Sequence, residues 1–160
     1  PANLNEYLAF PKIIACGGSW MVPGDLIKNE DWDGITALAR QAVHTMLRPT
    51  LRHVGINCSV PGEAKEVADR FDRLLGGIRE TGKSYFGGHD EIEAMKAMGP
   101  GEKGHLAISV TSVERAITYY ESQGFSFDYD TLTYTDDHKP KFIYFKDEIG
   151  GFAVHLVLAA

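Results

Sequence analysis

The chain has 160 residues, 44% of them hydrophobic and 24% charged, with a formal net charge of −6 from 16 basic and 22 acidic side chains. That apolar content suffices for a core and argues against disorder; an acidic balance without a Lys/Arg-rich run argues against nucleic acid and anionic membranes as partners. Two cysteines 42 positions apart, Cys16 and Cys58, make neither a disulfide framework nor a thiolate zinc cluster, and are expected as buried free thiols of a reducing, cytoplasmic protein.

In chain order, residues 3–9 read as a short helix. Lys12–Cys16 is a continuous apolar run of strand length, ended by Gly17-Gly18. From Asp33, the residues Ile35, Leu38, Ala39, Ala42, Val43 and Met46 recur in steps of three and four, one stripe of a helix, with Asp31 or Asp33 as its N-cap and Arg48-Pro49 as its end. Leu51–Cys58 is a strand. Glu63–Leu75 is an amphipathic helix stopped by Gly76-Gly77. Ser84–Phe86 and Ile92–Met98 are short strands. His105–Val110 is again a strand, Val113–Ser122 a helix stopped by Gly124, and Phe127–Thr133, Lys141–Lys146 and Phe152–Leu158 are strands.

The plan after Pro49 therefore repeats. Leu51-Arg52-His53-Val54-Gly55-Ile56 aligns with Lys103-Gly104-His105-Leu106-Ala107-Ile108, and each is followed by a helix and further strands. The predicted fold class is α+β: tandem βαβββ modules, preceded by a helix–strand–helix segment.

Of six histidines, His44, His89 and His138 fall in a helix, a loop and a turn, and read as fillers. His53, His105 and His155 fall in strands among apolar neighbours. His53 and His105 hold equivalent positions in the two repeats, and Glu93 and His155 hold equivalent positions in the last strands. Two imidazoles from first strands and a Glu/His pair from last strands would give four N/O ligands for a divalent first-row metal (Zn, Ni, Mn or Fe). The same pattern is open to a second reading, in which the histidines are satisfied strand residues and Glu93 faces solvent.

The segments Leu51-Arg52-His53, Ile92-Glu93, Gly104–Val110 and Gly150–Leu156 resemble the vicinal oxygen chelate superfamily, which includes glyoxalase I and extradiol dioxygenases. The resemblance implies a glyoxalase-like domain at residues 51–160, a cup around a metal held by His53, Glu93, His105 and His155, a small 2-oxo or 2-hydroxy acid as ligand, Glu93 as the group for proton transfer, and a homodimer. Glyoxalase I carries Glu where this chain has His155, which argues against that particular activity.

Asn3–Leu8 followed by Ala15-Cys16-Gly17-Gly18-Ser19-Trp20-Met21-Val22, and Asp31–Val43 after them, resemble the C-terminal end of the class I aldolases acting on 2-dehydro-3-deoxy-6-phosphogluconate and 4-hydroxy-2-oxoglutarate. The resemblance implies that residues 1–48 are a remnant of a (β/α)8 barrel, with Gly17, Gly18 and Ser19 as its phosphate-binding loop and with the Schiff-base Lys and acid/base Glu of that family upstream. Lys12 and Lys28 do not match the Schiff-base motif. The expectation is an aldolase fusion whose first segment has no aldolase activity of its own and covers its apolar stripe against the other domain or a second subunit.

Overall fold

The structure is a computed structural model that describes residues 3–10 and 12–159. The chain divides into two compact units, one ending at Arg48 and the other beginning at Pro49. No helix among the described residues is long and apolar enough to cross a membrane.

The first unit is helical. α1 (Leu4–Leu8), a one-turn 3-10 helix at Ser19–Met21 and α2 (Gly24–Lys28) all contact α3 (Trp32–Leu47). Asp31 caps α3 by accepting the Gly34 N–H at 2.8 Å, and the Asn5 amide donates to the Thr45 carbonyl at 2.7 Å, tying α1 to the last turn of α3. The expected strand Lys12–Cys16 does not form. Residues 13–18 have no regular structure, and Ile14 is 90% exposed. The physical reason is that a strand is stabilised by hydrogen-bonded neighbours, and this unit holds no second strand among its described residues. Cys16, expected buried, is half-buried, whereas Cys58 is buried.

The second unit is one eight-stranded sheet with two helices. Its elements are β1 (Thr50–Asn57), α4 (Pro61–Leu75), β2 (Ile78–Glu80), β3 (Ser84–Gly87), β4 (Ile92–Met95), β5 (His105–Val110), α5 (Val113–Ser122), β6 (Phe127–Tyr134), β7 (Pro140–Phe145) and β8 (Ala153–Leu158). The strand order is β2-β3-β4-β1-β5-β8-β7-β6. Each half is a βαβββ module in which the last strand runs parallel to the first, and the two first strands, β1 and β5, pair antiparallel at the centre. β2 is the strand that sequence periodicity does not reveal. It is a three-residue, exposed edge strand carrying Arg79 and Glu80, so it shows no apolar alternation.

The helix ends follow from local chemistry. Glu63 reaches back from the first turn of α4 to accept the Ser59 N–H at 2.7 Å, and the Ser112 hydroxyl accepts the Arg115 N–H at the start of α5. Gly76 and Gly77, with φ of 79° and 73°, end α4 in a conformation that disfavours a side chain. α4 packs on β2, β3 and β4 through Ala64 and Ala68, both fully buried, with Cys58, Ala94, Ile56 and Tyr85 beside them. α5 packs on β7 and β8. Buried Ile143 and Leu156 alternate along β7 and β8 with Tyr144 and His155. Because successive strand residues point to opposite faces, the residues alternating with this apolar set face away from the helices. Those residues are Ser84, Phe86, Glu93, His53, Gly55, His105, Ala107, His155, Tyr144 and Phe142.

Candidate metal centre

Cross-strand register lines these residues up in two rows. In one, Phe86 pairs with Glu93, Glu93 with Gly55, and Gly55 with His105. In the other, His53 pairs with Ala107, Ala107 with His155, and His155 with Tyr144. A twofold axis between β1 and β5 exchanges the rows: each central histidine lies opposite the small residue of the other module. At Gly55 the absence of a side chain is required by space. A Cβ on Gly55 would overlap the His105 imidazole.

The functional ends converge. Ring nitrogens of His53, His105 and His155 lie within 4.8 Å of one another. Glu93 Oε2 is 3.1 Å from His53 Nε2 and 3.1 Å from His105 Nε2, and those two nitrogens are 3.1 Å apart. His105 and His155 are buried, and Glu93 and His53 have side chains only 15% and 13% exposed. Glu93 thus does not face solvent; His53 and His105 lie within hydrogen-bond distance of it and of each other, and His155 packs beside them between Phe142 and Tyr144.

The ionisation states follow from this enclosure. Burial opposes the charge on Glu93, but hydrogen bonds from His105, His53 and Ser84 more than offset it and hold the carboxyl well below the usual carboxylate range. Burial, reinforced by the neighbouring His105 and His53, pushes His155 down to about 3, so it is neutral near pH 7. Burial and then the Glu93 charge push Tyr144 up to about 12, leaving its hydroxyl a donor. A carboxylate and a neutral imidazole are the forms that bind a metal.

The two halves are finished differently. On the Glu93 side, the buried Ser84 hydroxyl donates to Glu93 Oε1 at 2.6 Å and is itself 2.9 Å from the Thr81 hydroxyl. At the equivalent place on the other side, Phe142 lies against His155 with ring centroids 4.5 Å apart. The charged group is given a donor and the neutral ring an apolar wall. Ser84 fixes the orientation of Glu93 and leaves Oε2 free for the centre. Replacing Ser84 with alanine is expected to weaken divalent metal binding by about 10–100-fold, the usual effect of removing an outer partner of a ligand. Titration calorimetry checks this, and an unchanged affinity would remove Ser84 from the site.

The donors suit a first-row divalent ion: three imidazole nitrogens close together, with the Glu93 carboxylate oxygen against those of His53 and His105. One feature opposes it. Nδ1 of His105 and Nδ1 of His155 are buried and have no hydrogen-bond partner among the described residues. If Nε2 binds metal, the Nδ1 proton is unsatisfied, costing about 1–3 kcal/mol per ring. That is small beside the ~10 kcal/mol or more that a structural zinc site releases on binding. The residues fit the ion.

Residues 1–38 match the aldolase family of KDPG and KHG aldolases. The 2-dehydro-3-deoxy-phosphogluconate aldolase of Pseudoalteromonas atlantica is 51% identical over 43 residues, which are 27% of this chain and 20% of that protein. The KHG/KDPG aldolase of Escherichia coli gives the same identity and coverage. The chain thus spans about a fifth of the length of the curated relatives it matches. Among solved structures, a methylmalonyl-CoA epimerase from Mycobacterium tuberculosis aligns with a TM-score of 0.48 and 20% identity over 69% of this chain and 87% of that one. A hypothetical protein from Bacillus halodurans aligns with a TM-score of 0.48 and 16% identity over 70% of this chain and 95% of that one. The tandem βαβββ architecture itself rests on the pairing and strand order of the sheet.

Sequence periodicity does not reveal Ser84, Tyr144, Phe142 or Gly55 as parts of the centre, since each is placed by cross-strand pairing. In the aldolase-matching segment, Gly17 and Gly18 precede the 3-10 turn opened by Ser19, and Gly18 is extended (φ −168°, ψ 135°). Three residues of 3-10 turn align too few N–H groups to make an anion site by themselves. A concavity of about 350 Å³ lies on the other face of the sheet, lined by Leu51, Leu106, Ile108, Tyr120, Phe125 and Phe145 among others. It is apolar and offers none of the four convergent groups.

Proposed function

We propose that the sheet-bearing unit is a metal-dependent, glyoxalase-like domain that holds a divalent ion (Zn, Ni, Mn or Fe) on His53, Glu93, His105 and His155 and takes a small 2-oxo or 2-hydroxy acid through its neighbouring oxygens. The observation that supports it is the meeting of three imidazole nitrogens within 4.8 Å of one another, with the Glu93 carboxylate against two of them. When bound, the ion would supply Lewis-acid polarisation of the acid's oxygens and stabilise developing enolate charge. The chain's own residues have separate jobs. The neutral imidazoles hold the ion, Ser84 orients Glu93, and Tyr144 offers a hydroxyl donor toward the same face. Glu93 is the candidate carrier of a proton to or from the carbon next to the carbonyl.

A second reading is favoured by one observation. Both oxygens of Glu93 are engaged and its carboxyl is held strongly acidic, which makes it a weak base, and His155 stands where a second carboxylate would act. On this reading the domain binds its ligand without turnover, as a module of an aldolase fusion protein whose lyase activity lies in the other part. The match of residues 1–38 supports the fusion. The domain is further proposed to form a homodimer, which light scattering tests. Metal analysis of the purified chain tests the centre itself. About one ion per chain is expected, with loss of that ion in His53→Ala and His105→Ala. A metal-free protein, indifferent to both substitutions, would sink the proposal. Turnover of a 2-oxo or 2-hydroxy acid by the metal-loaded chain separates the first reading from the second.

A further inference from the structure

The row through the centre continues to the edge of the sheet. Arg79 of β2 pairs with Phe86 of β3, which pairs with Glu93 of β4. Directly opposed residues share a face, and strands are about 4.8 Å apart, so Arg79 stands about 10 Å along the row from Glu93. Contacts bear this out. The His53 and Phe86 rings meet nearly perpendicular with centroids 5.7 Å apart, and the Arg79 guanidinium lies 4.4 Å from the Phe86 centroid. The Arg79 stem is fixed at Nε, which donates to Asp90 Oδ1 at 3.0 Å, and its two terminal nitrogens have no protein partner among the described residues. Arg52 also approaches Asp90, at 4.0 Å, so one carboxylate faces two guanidinium groups and the cluster keeps a net positive charge.

The opposite end of the face has the other sign. Tyr144 pairs with Asp128 of β6, which puts a carboxylate at that edge. An anion extending from the centre is therefore attracted toward β2 and repelled from β6.

We infer that the acid taken by this centre carries a second carboxylate at its far end, and that Arg79 binds it. The inference rests on the metal-centre reading proposed above and adds the substrate class: a dicarboxylic 2-oxo or 2-hydroxy acid of about five carbons. Its chelating end sits at the imidazoles, its methylene carbons pass beside Phe86, and its terminal carboxylate meets the planar fork of Arg79, whose geometry it matches. Arg79 is a specificity-determining residue here and takes no part in proton transfer.

The test uses the full chain loaded with cobalt(II), whose visible spectrum reports ligand binding. Two acids of equal length are compared: 2-oxoglutarate and 2-oxopentanoate, which differ only in the terminal carboxylate. The dicarboxylic acid is expected to bind about tenfold tighter to the native chain, the effect of one partly exposed charge-assisted contact. In Arg79→Gln that preference is expected to vanish, with cobalt uptake unchanged, and in Arg79→Lys part of it is expected to remain. Arg79 is half-exposed on an edge strand, so both variants are expected to fold, which unfolding curves verify. Equal affinity for the two acids in the native chain, or an undiminished preference in Arg79→Gln, overturns the inference and leaves the metal centre standing. Failure of the native chain to take up cobalt overturns the metal centre, and this inference with it.

Discussion

Replacing Gly55 with alanine is expected to lower metal affinity by at least about 100-fold while the sheet remains folded. Gly55 lies directly opposite His105 across the central antiparallel pair, and the imidazole occupies the space where its side chain would be. The added methyl group cannot share that space. His105 is buried against His53 and His155, with ring centroids at 5.2 and 5.4 Å, so the ring must rotate away from the centre or force β1 and β5 apart. Overpacking of this kind costs about 1–3 kcal/mol in stability, but the loss of a first ligand's aim costs far more in binding. A double-mutant cycle separates the two effects. In the His105→Ala background the methyl group has room, so the stability cost of Gly55→Ala should largely disappear while metal binding stays lost. Calorimetric metal titration and denaturant unfolding of the four proteins make the measurement. Full metal affinity in Gly55→Ala would show that His105 does not need its observed position.

The same residue shows where sequence reading stops. The placement of His53, His105, Glu93 and His155 on strands is legible because each lies among apolar neighbours in a run of strand length and because the two modules repeat. That the four side chains share one face and one depth depends on register between strands, and register is set by pairing that no single segment encodes. Gly55 is therefore an ordinary strand glycine until β5 lies beside it. Ser84 and Phe142 are likewise an unremarked serine and phenylalanine until β3 and β7 are seen to be equivalent strands bearing on Glu93 and His155. β2 escapes notice because three exposed residues carry no pattern, yet it brings Arg79 to the row. The opposite error occurs at Lys12–Cys16. Its apolar run has the length and composition of a buried strand, but composition cannot supply the neighbouring strands that would pair with it, and the segment is irregular. Local chemistry is the most legible layer: Asp31 caps α3, and Gly76-Gly77 ends α4 as short-range rules require.

Acid is expected to destabilise the metal-free chain in two stages, and the sign follows from the shifted groups. His155 is held down to about 3 in the folded chain, whereas an unfolded histidine titrates near 6.5. Between those values the unfolded chain binds a proton that the folded chain does not. Unfolding is thus favoured as pH falls, by up to about 1.4 kcal/mol per pH unit from this group alone. Glu93 is held below the usual carboxylate range when folded, so its stabilising contribution is complete above about pH 5 and is lost as pH falls further, adding a second, similar slope. Denaturant unfolding from pH 8 to pH 4 should show a decline that begins near pH 6.5 and steepens near pH 4.5. In His155→Phe, whose ring keeps the aromatic contacts with Phe142 and Tyr144, the first stage should be reduced and the second retained. Divalent metal should raise stability at pH 7, by about 2.7 kcal/mol at a hundred times its dissociation constant, and this increment should be absent in His53→Ala and His105→Ala. An increment that survives both substitutions would place the ion elsewhere than on these histidines, and a native-chain profile that is flat from pH 8 to pH 5 would contradict the buried, neutral state of His155 on which the centre depends.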